Sequence, residues 1–87
     1  SQADALDLTK PILVFCPAVA VDAQGVRLGL GKGYYDRFFA LNPGAQRAAV
    51  VYQIQFSTVP LHADSWDQPV DWIVSEKMIL RSLRRSN

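Results

Sequence analysis

The segment Arg27–Asp36, RLGLGKGYYD, contains the residues of this chain best suited to chemistry on a phosphate group. Glycines at 29, 31 and 33 alternate with other residues, so the backbone can approach a ligand with few side chains in the way. A helix that begins directly after such a loop presents unbonded N–H groups at its first turn, which favours an anion there. Lys32 adds a compact positive charge between Gly31 and Gly33, and Arg27 adds a planar fork that can grip a phosphate through two hydrogen bonds. Neither familiar phosphate motif is met, because Tyr34 stands where G-x-G-x-x-G requires glycine and the G-x-x-x-x-G-K-[ST] spacing is absent. A glycine-rich turn that merely joins strand to helix therefore stands beside the phosphate reading. Asp36 likewise has two readings, a complement to the positive end of the helix dipole or a ligand for the Mg²⁺ that accompanies phosphates. Downstream, Asp67 and Asp71 in WDQPVD are further hard oxygen donors of the kind Mg²⁺ takes.

The elements that would position these residues can be read from apolar patterning. The run Ile12–Cys16, bounded by Pro11 and Pro17, predicts a strand covered on both faces, with Val19 and Val21 as an extension. Glycines at 25, 29, 31 and 33 then predict a loop without regular structure. From Tyr34 a helical pattern sets Tyr35, Phe38 and Phe39 on one side, and Asn42-Pro43-Gly44 stops it. Ala48–Tyr52 reads as a second buried strand, residues 53–71 as a long loop of the kind that is usually functional or disordered, and Trp72–Ser75 as a third strand. Ser75 is placed to cap a last helix, EKMILRSLRRS, with Ile79, Leu80 and Leu83 as its apolar face. This order predicts an α/β domain with mostly parallel strands. Three strands are few for such a sheet, which suggests that others come from sequence not present here.

The chain has 87 residues, 49% hydrophobic and 20% charged, enough for one modest core. A chain of this length buries only roughly 60–65% of its unfolded surface, so a neighbour over an open face would matter to its stability. Nine Lys and Arg against eight Asp and Glu leave a net charge of +1, too weak a field to favour nucleic acid. Arg81, Arg84 and Arg85 read either as a basic helix end or as a contact for phosphate or an acidic partner. Cys16 is the only cysteine and lies in an apolar run, so it reads as a small buried hydrophobe, and a reducing compartment fits better than secretion. Residues 1–10 are polar and lack a leader's apolar core, and no apolar stretch approaches membrane-span length; the expectation is a soluble cytoplasmic protein without a membrane partner.

The run PAVAVDAQGVRLGLGKGYYDRFF resembles the signature of the 5-formyltetrahydrofolate cyclo-ligase family, P-x-x-A-x-D-x-x-G-x-R-L-G-x-G-x-G-Y-Y-D. It is met by Pro17, Ala20, Asp22, Gly25, Arg27, Leu28, Gly29, Gly31, Gly33, Tyr34, Tyr35 and Asp36. Gln55, Pro60 and the pair Asp67 and Asp71 in D-x-x-V-D are similar to the family's closing region, so the resemblance covers about residues 11–76. It implies a three-layer α/β/α fold with a mostly parallel sheet, similar to that of sugar-phosphate isomerases and CoA transferases. It also implies an ATP- and Mg²⁺-dependent enzyme that converts 5-formyltetrahydrofolate to 5,10-methenyltetrahydrofolate, ADP and phosphate. The formyl oxygen is phosphorylated, the folate N10 attacks the activated carbon, and phosphate leaves.

Carried over by position, the ATP loop comprises Arg27, Leu28, Gly29, Leu30, Gly31, Lys32, Gly33, Tyr34 and Tyr35. The resemblance assigns catalysis to Lys32, Tyr34 and Tyr35 and the Mg²⁺ ligands to Asp36 and Asp67. The family's N-terminal half, which supplies a basic ATP-contacting segment and most of the folate pocket, has no counterpart here. The 87 residues therefore read as one C-terminal ATP-binding domain that needs the missing half, or self-association, to be complete. Leu30 stands where the family often has an aromatic residue, and Ala18-Val19 is a less usual version of its segment. The rival reading is a non-catalytic nucleotide-binding or interaction domain that keeps the phosphate loop without turnover. His62, the only histidine, reads as solvated or structural, with proton transfer as the alternative; Trp66 and Trp72 read as core or rim packing, with stacking on a ring ligand as the alternative. One of Tyr34 and Tyr35 should face the sheet and the other the ligand, and the sequence leaves open which.

Overall fold

A computed structural model of the chain describes residues 12–29, 33–64 and 67–84. Its strands are β1 (Leu13–Pro17), β2 (Ala20–Asp22), β3 (Arg27–Leu28), β4 (Gln46–Val50), β5 (Phe56–Ser57), β6 (Trp72–Val74) and β7 (Ile79–Arg81). The helix α1 (Tyr34–Leu41) lies between β3 and β4, and a short 3-10 turn spans Gln53–Gln55. One sheet has the order β1-β4-β6-β7 and a second, smaller one the order β3-β2-β5. In the larger sheet β1, β4 and β6 run parallel and β7 closes the edge antiparallel to β6. Among the described residues no helix is long and apolar enough to cross a membrane.

Because side chains alternate along a strand, the register sorts the larger sheet into two faces. Cys16, Ala49 and Ile73 are neighbours across β1, β4 and β6, and all three are buried. They join Val21 from β2, Phe39 from α1 and Val70 in one core. Tyr35 and Phe38 pack against that core beside Phe39, so α1 buries the stripe its spacing predicts. The helix ends at Asn42, whose side-chain amide donates to the Phe38 carbonyl at 2.8 Å.

The opposite face is open. Phe15 is 57% exposed on β1 and Ile79 75% exposed on β7, and Leu13 and Val50 are exposed beside them. This corrects the expectation that Ile12–Cys16 is covered on both sides: the described residues supply one covering layer, and the odd-numbered side chains of β1 face away from it. Val19 and Val21 do not extend β1 either, since the chain turns after Pro17 and Ala20–Asp22 enters the second sheet.

The glycine-rich stretch is more ordered than its composition predicts. Residues 22–25 form a turn, Gly25 N–H to Asp22 carbonyl at 3.0 Å, that folds β3 back against β2. Gly25 has φ 84, and a Cβ there would run into the Val70 carbonyl, so glycine is required twice over. Residues 53–71 contain the 3-10 turn and β5 as well as loop.

Among the described residues the expected last helix is absent. Ile79–Arg81 pairs instead with Trp72–Val74, and the Ser75 hydroxyl accepts from the Lys77 and Met78 N–H groups, capping a hairpin turn rather than a helix. Apolar residues at 79, 80 and 83 satisfy a short helical stripe or a strand equally well, and the vacant edge of β6 decides in favour of the strand. Arg81 and Arg84 accordingly do not complement a helix dipole; Arg85 lies outside the described residues.

Candidate functional site

Gly33 is the last residue before α1 and has φ 78, a left-handed conformation that a side chain disfavours. The turn it makes brings the first turn of α1, with Tyr34, Tyr35 and Asp36, against β3. Arg27 reaches across from β3. Its Nη2 stands 3.5 Å from Asp36 Oδ1, its guanidinium lies 5.4 Å from the centroid of the Tyr35 ring, and its Nη1 donates to the Pro17 carbonyl at 3.5 Å. The Arg27 side chain is only 5% exposed, yet these contacts are long and Nε has no partner. With only these long contacts among the described residues, the buried guanidinium keeps donor capacity for an anion. Gly29 lies directly beside the same guanidinium, where a Cβ would collide with Nη1.

Asp36 also accepts from the Gln68 N–H at 3.1 Å, which brings the loop carrying Asp67 to the helix. Asp67 Oδ2 accepts from the Asp64 N–H at 2.7 Å. Among the described residues each carboxylate thus keeps one oxygen without a partner. No group of three or more His, Cys, Asp or Glu among the described residues could hold a metal. Two carboxylates with free oxygens fit Mg²⁺, which binds through one or two carboxylates and takes its other ligands from phosphates and water.

Leu28, Gly29, Gly33, Tyr34 and Tyr35 border this corner, while Leu30, Gly31, Lys32 and Trp66 lie outside the described residues. The two tyrosines are resolved: Tyr35 is half-buried against the core, and Tyr34 is 66% exposed, meeting the Tyr35 ring edge-on at 5.4 Å. Tyr34 is therefore the one turned outward. Asp22, part of the sequence signature, is buried and accepts from the Gln24, Val26 and Leu61 N–H groups, which is a structural role. Asp71 pairs with Arg84 at 3.2 Å and takes the Arg47 N–H, so it is unavailable to a metal. His62 is exposed beside Asp64, and Trp72 lies under Arg81 on the open face of the sheet. Cys16 is buried with its thiol directed to the Ala48 carbonyl, and desolvation raises its pKa.

The carboxyl ends of β1, β4 and β6 open into a cleft of about 550 Å³ lined by Pro17, Val50, Tyr52, Gln55, Val74 and Glu76 among others. Ligands of open α/β sheets bind at this edge. Its rim is stapled by Ser75 Oγ donating to Gln53 Oε1 at 2.6 Å and by Gln55 Nε2 donating to the Ala18 carbonyl at 3.2 Å. Pro17 belongs to the cleft wall and to the Arg27 contact, which joins the cleft to the glycine corner. Sequence reasoning missed Gln53, Glu76, Gln68 and Arg47 at or near these sites. No motif marks them, because partners 20 or more residues away give them their places.

A family model described as the 5-formyltetrahydrofolate cyclo-ligase family matches residues 2–76. The 5-formyltetrahydrofolate cyclo-ligase of Mycoplasma genitalium is 34% identical over 61 residues, 69% of this chain and 36% of that protein. The protein of the same name from Haemophilus influenzae is 36% identical over 67 residues, 75% of this chain and 35% of that protein. The solution structure of Aquifex aeolicus 5,10-methenyltetrahydrofolate synthetase superposes with a TM-score of 0.61 at 40% identity, covering 84% of this chain and 37% of that one. The chain thus spans little more than a third of the length of the relatives it matches.

Proposed function

The chain belongs to the 5-formyltetrahydrofolate cyclo-ligase family, and on that premise we propose that it supplies the ATP- and Mg²⁺-holding part of an enzyme that closes 5-formyltetrahydrofolate to 5,10-methenyltetrahydrofolate. The observation that carries this reading is the buried Arg27, with only long contacts among the described residues, beside the left-handed Gly33 and the carboxylate of Asp36. In this reading Arg27, the amides of the Leu28–Gly33 loop and Lys32 bind the nucleotide phosphates. Tyr34 and Tyr35 flank the transferred group, and Asp36 and Asp67 hold the Mg²⁺, which neutralises charge on the phosphates. Catalysis of phosphoryl transfer is mostly positioning and charge stabilisation, which these residues can supply without a covalent step of their own. The apolar cleft at the strand ends is the space offered to the folate ring, with the Pro17 wall between it and the phosphates.

The same reading takes the architecture as part of a three-layer α/β/α domain. Three parallel strands in register with α1 on one face support it, and the open face around Phe15 and Ile79 is where the remaining layer would pack. The relatives' additional length supports assigning that layer, and most of the folate pocket, to sequence beyond the matched third. Turnover then requires that remainder, as a continuation of the chain or as a separate polypeptide; self-association over the same face is the competing outcome. The test is a calorimetric titration of the 87-residue chain with Mg-ATP beside a Gly31→Val, Gly33→Val double variant. Binding by the unsubstituted chain that the variant loses is expected; equal affinity in both would overturn the reading.

A further inference from the structure

Arg47 is an unexpected occupant of the inner face of β4. The residue is 2% exposed and its guanidinium lies 4.5 Å from the centroid of the Phe39 ring. Nη1 donates to the Pro69 carbonyl at 3.1 Å and to Gln68 Oε1 at 3.3 Å. Arg84 Nη1 donates to the same Pro69 carbonyl at 3.0 Å and pairs with Asp71 Oδ1 at 3.2 Å, while Asp71 Oδ2 accepts the Arg47 N–H at 2.9 Å. Nε is unpartnered in both arginines. Burial, and after it the Arg84 charge, lower the Arg47 pKa. Arg47 is buried against an aromatic ring beside the partly exposed Arg84–Asp71 pair, and a buried cation of this kind does not stabilise a core better than an apolar side chain of similar volume would. What this cluster supplies is geometry. Two guanidiniums, one from β4 and one from the segment that follows β7, converge on one carbonyl, and that carbonyl belongs to the residue after Gln68, whose N–H meets Asp36.

We propose that Arg47 and Arg84 are positioning residues: by gripping the Gln68-Pro69 segment they fix the Asp67 loop against α1 and so set the spacing of the Asp36 and Asp67 carboxylates for a divalent cation. The inference rests on the reading of those carboxylates as Mg²⁺ ligands. Partners that orient ligating carboxylates contribute to metal affinity although they never touch the ion.

The test uses the 87-residue chain with Arg47→Met, which keeps the volume over Phe39 and removes the donors, and Arg84→Met, at a less buried side chain. Amide hydrogen exchange at Gln68 is read by NMR without metal. Mn²⁺ affinity in the presence of ADP is read from paramagnetic broadening at Asp36, and metal-free ADP affinity by calorimetry. The expected result is faster Gln68 exchange with β4 amides still protected, roughly tenfold weaker Mn²⁺ binding, and unchanged metal-free ADP binding. Arg47→Lys, which keeps the charge and a single donor direction, should restore part of the Mn²⁺ affinity. Unchanged Gln68 exchange in both variants, or faster exchange with unchanged Mn²⁺ affinity, would overturn this inference alone. No broadening at Asp36 in the unsubstituted chain would overturn the metal reading first and this inference with it. If Arg47→Met fails to fold, Arg84→Met decides.

Discussion

Arg27 Nη2 stands 3.5 Å from Asp36 Oδ1, bridging the gap between β3 and the first turn of α1. The separation is too long for a tight bidentate pair, so the two groups can part toward different ligands, the guanidinium to phosphate and the carboxylate to metal.

That division predicts different signatures for two substitutions. Asp36→Asn should weaken Mg-ATP strongly and leave metal-free ATP little changed. Arg27→Met and Lys32→Ala should weaken both, each by about 1.5–3 kcal/mol, the range for a hydrogen bond to a charged group. Paired titrations with and without Mg²⁺ read the split. A neutral Asp36→Asn would return that residue to the role of a helix-dipole partner.

Two glycines should respond differently to alanine. Gly33→Ala meets nothing within 4 Å, so its cost is the left-handed backbone alone, about 1–2 kcal/mol. At Gly25 the same backbone cost is joined by collision with the Val70 carbonyl and a tight contact with the Ser82 side chain. Overpacking adds about 1–3 kcal/mol, so Gly25→Ala should be the more destabilising of the two in urea melts. The reverse order would mean that the hairpin relaxes around an added methyl group.

Cys16 sets a pH dependence at the alkaline end. Desolvation raises its folded pKa above the ordinary 9.0, so above that value the unfolded chain loses the thiol proton while the folded chain retains it. The unfolded state then binds fewer protons, and this contribution to stability, complete below pH 9.0, declines as pH rises through the folded value. Urea melts across this range should show a decline that is shallower in Cys16→Ala. An aromatic disulfide reagent should label native Cys16 slowly at neutral pH; rapid labelling would contradict its burial.

The open face around Phe15 and Ile79 predicts a chain that associates and does not turn over by itself. Phe15→Ser and Ile79→Ser should lower the mass seen by light scattering while changing monomer stability little, because neither side chain is buried. Assayed with Mg-ATP and 5-formyltetrahydrofolate, the 87 residues alone should form no methenyl product. Robust turnover by a monomer would show that the matched third carries a complete site.

Local chemistry made part of this molecule legible before any fold was known. A Tyr35–Phe38–Phe39 stripe followed by Asn-Pro-Gly can hardly be anything but a short helix with a stop, and α1 runs from Tyr34 to Leu41. Gly33 enters it through the left-handed angle that the glycine spacing anticipates. The family signature was equally readable, because close backbone packing demands particular residue types at fixed short spacings. Long-range pairing was beyond the sequence. Ile79–Arg81 became a strand because β6 offered an unpaired edge, a fact no local pattern contains. Leu13 and Phe15 were left open because a run of apolar residues does not state how many layers will cover it. Arg47 carries no motif at all: its burial and its hold on Pro69, 22 residues away, arise only when β4, α1 and the Asp67 loop pack together. Residue types and short spacings were set by backbone chemistry within a few residues, whereas coverage, edge pairing and the partners of buried charges were decided by contacts whose sequence separation no local rule spans.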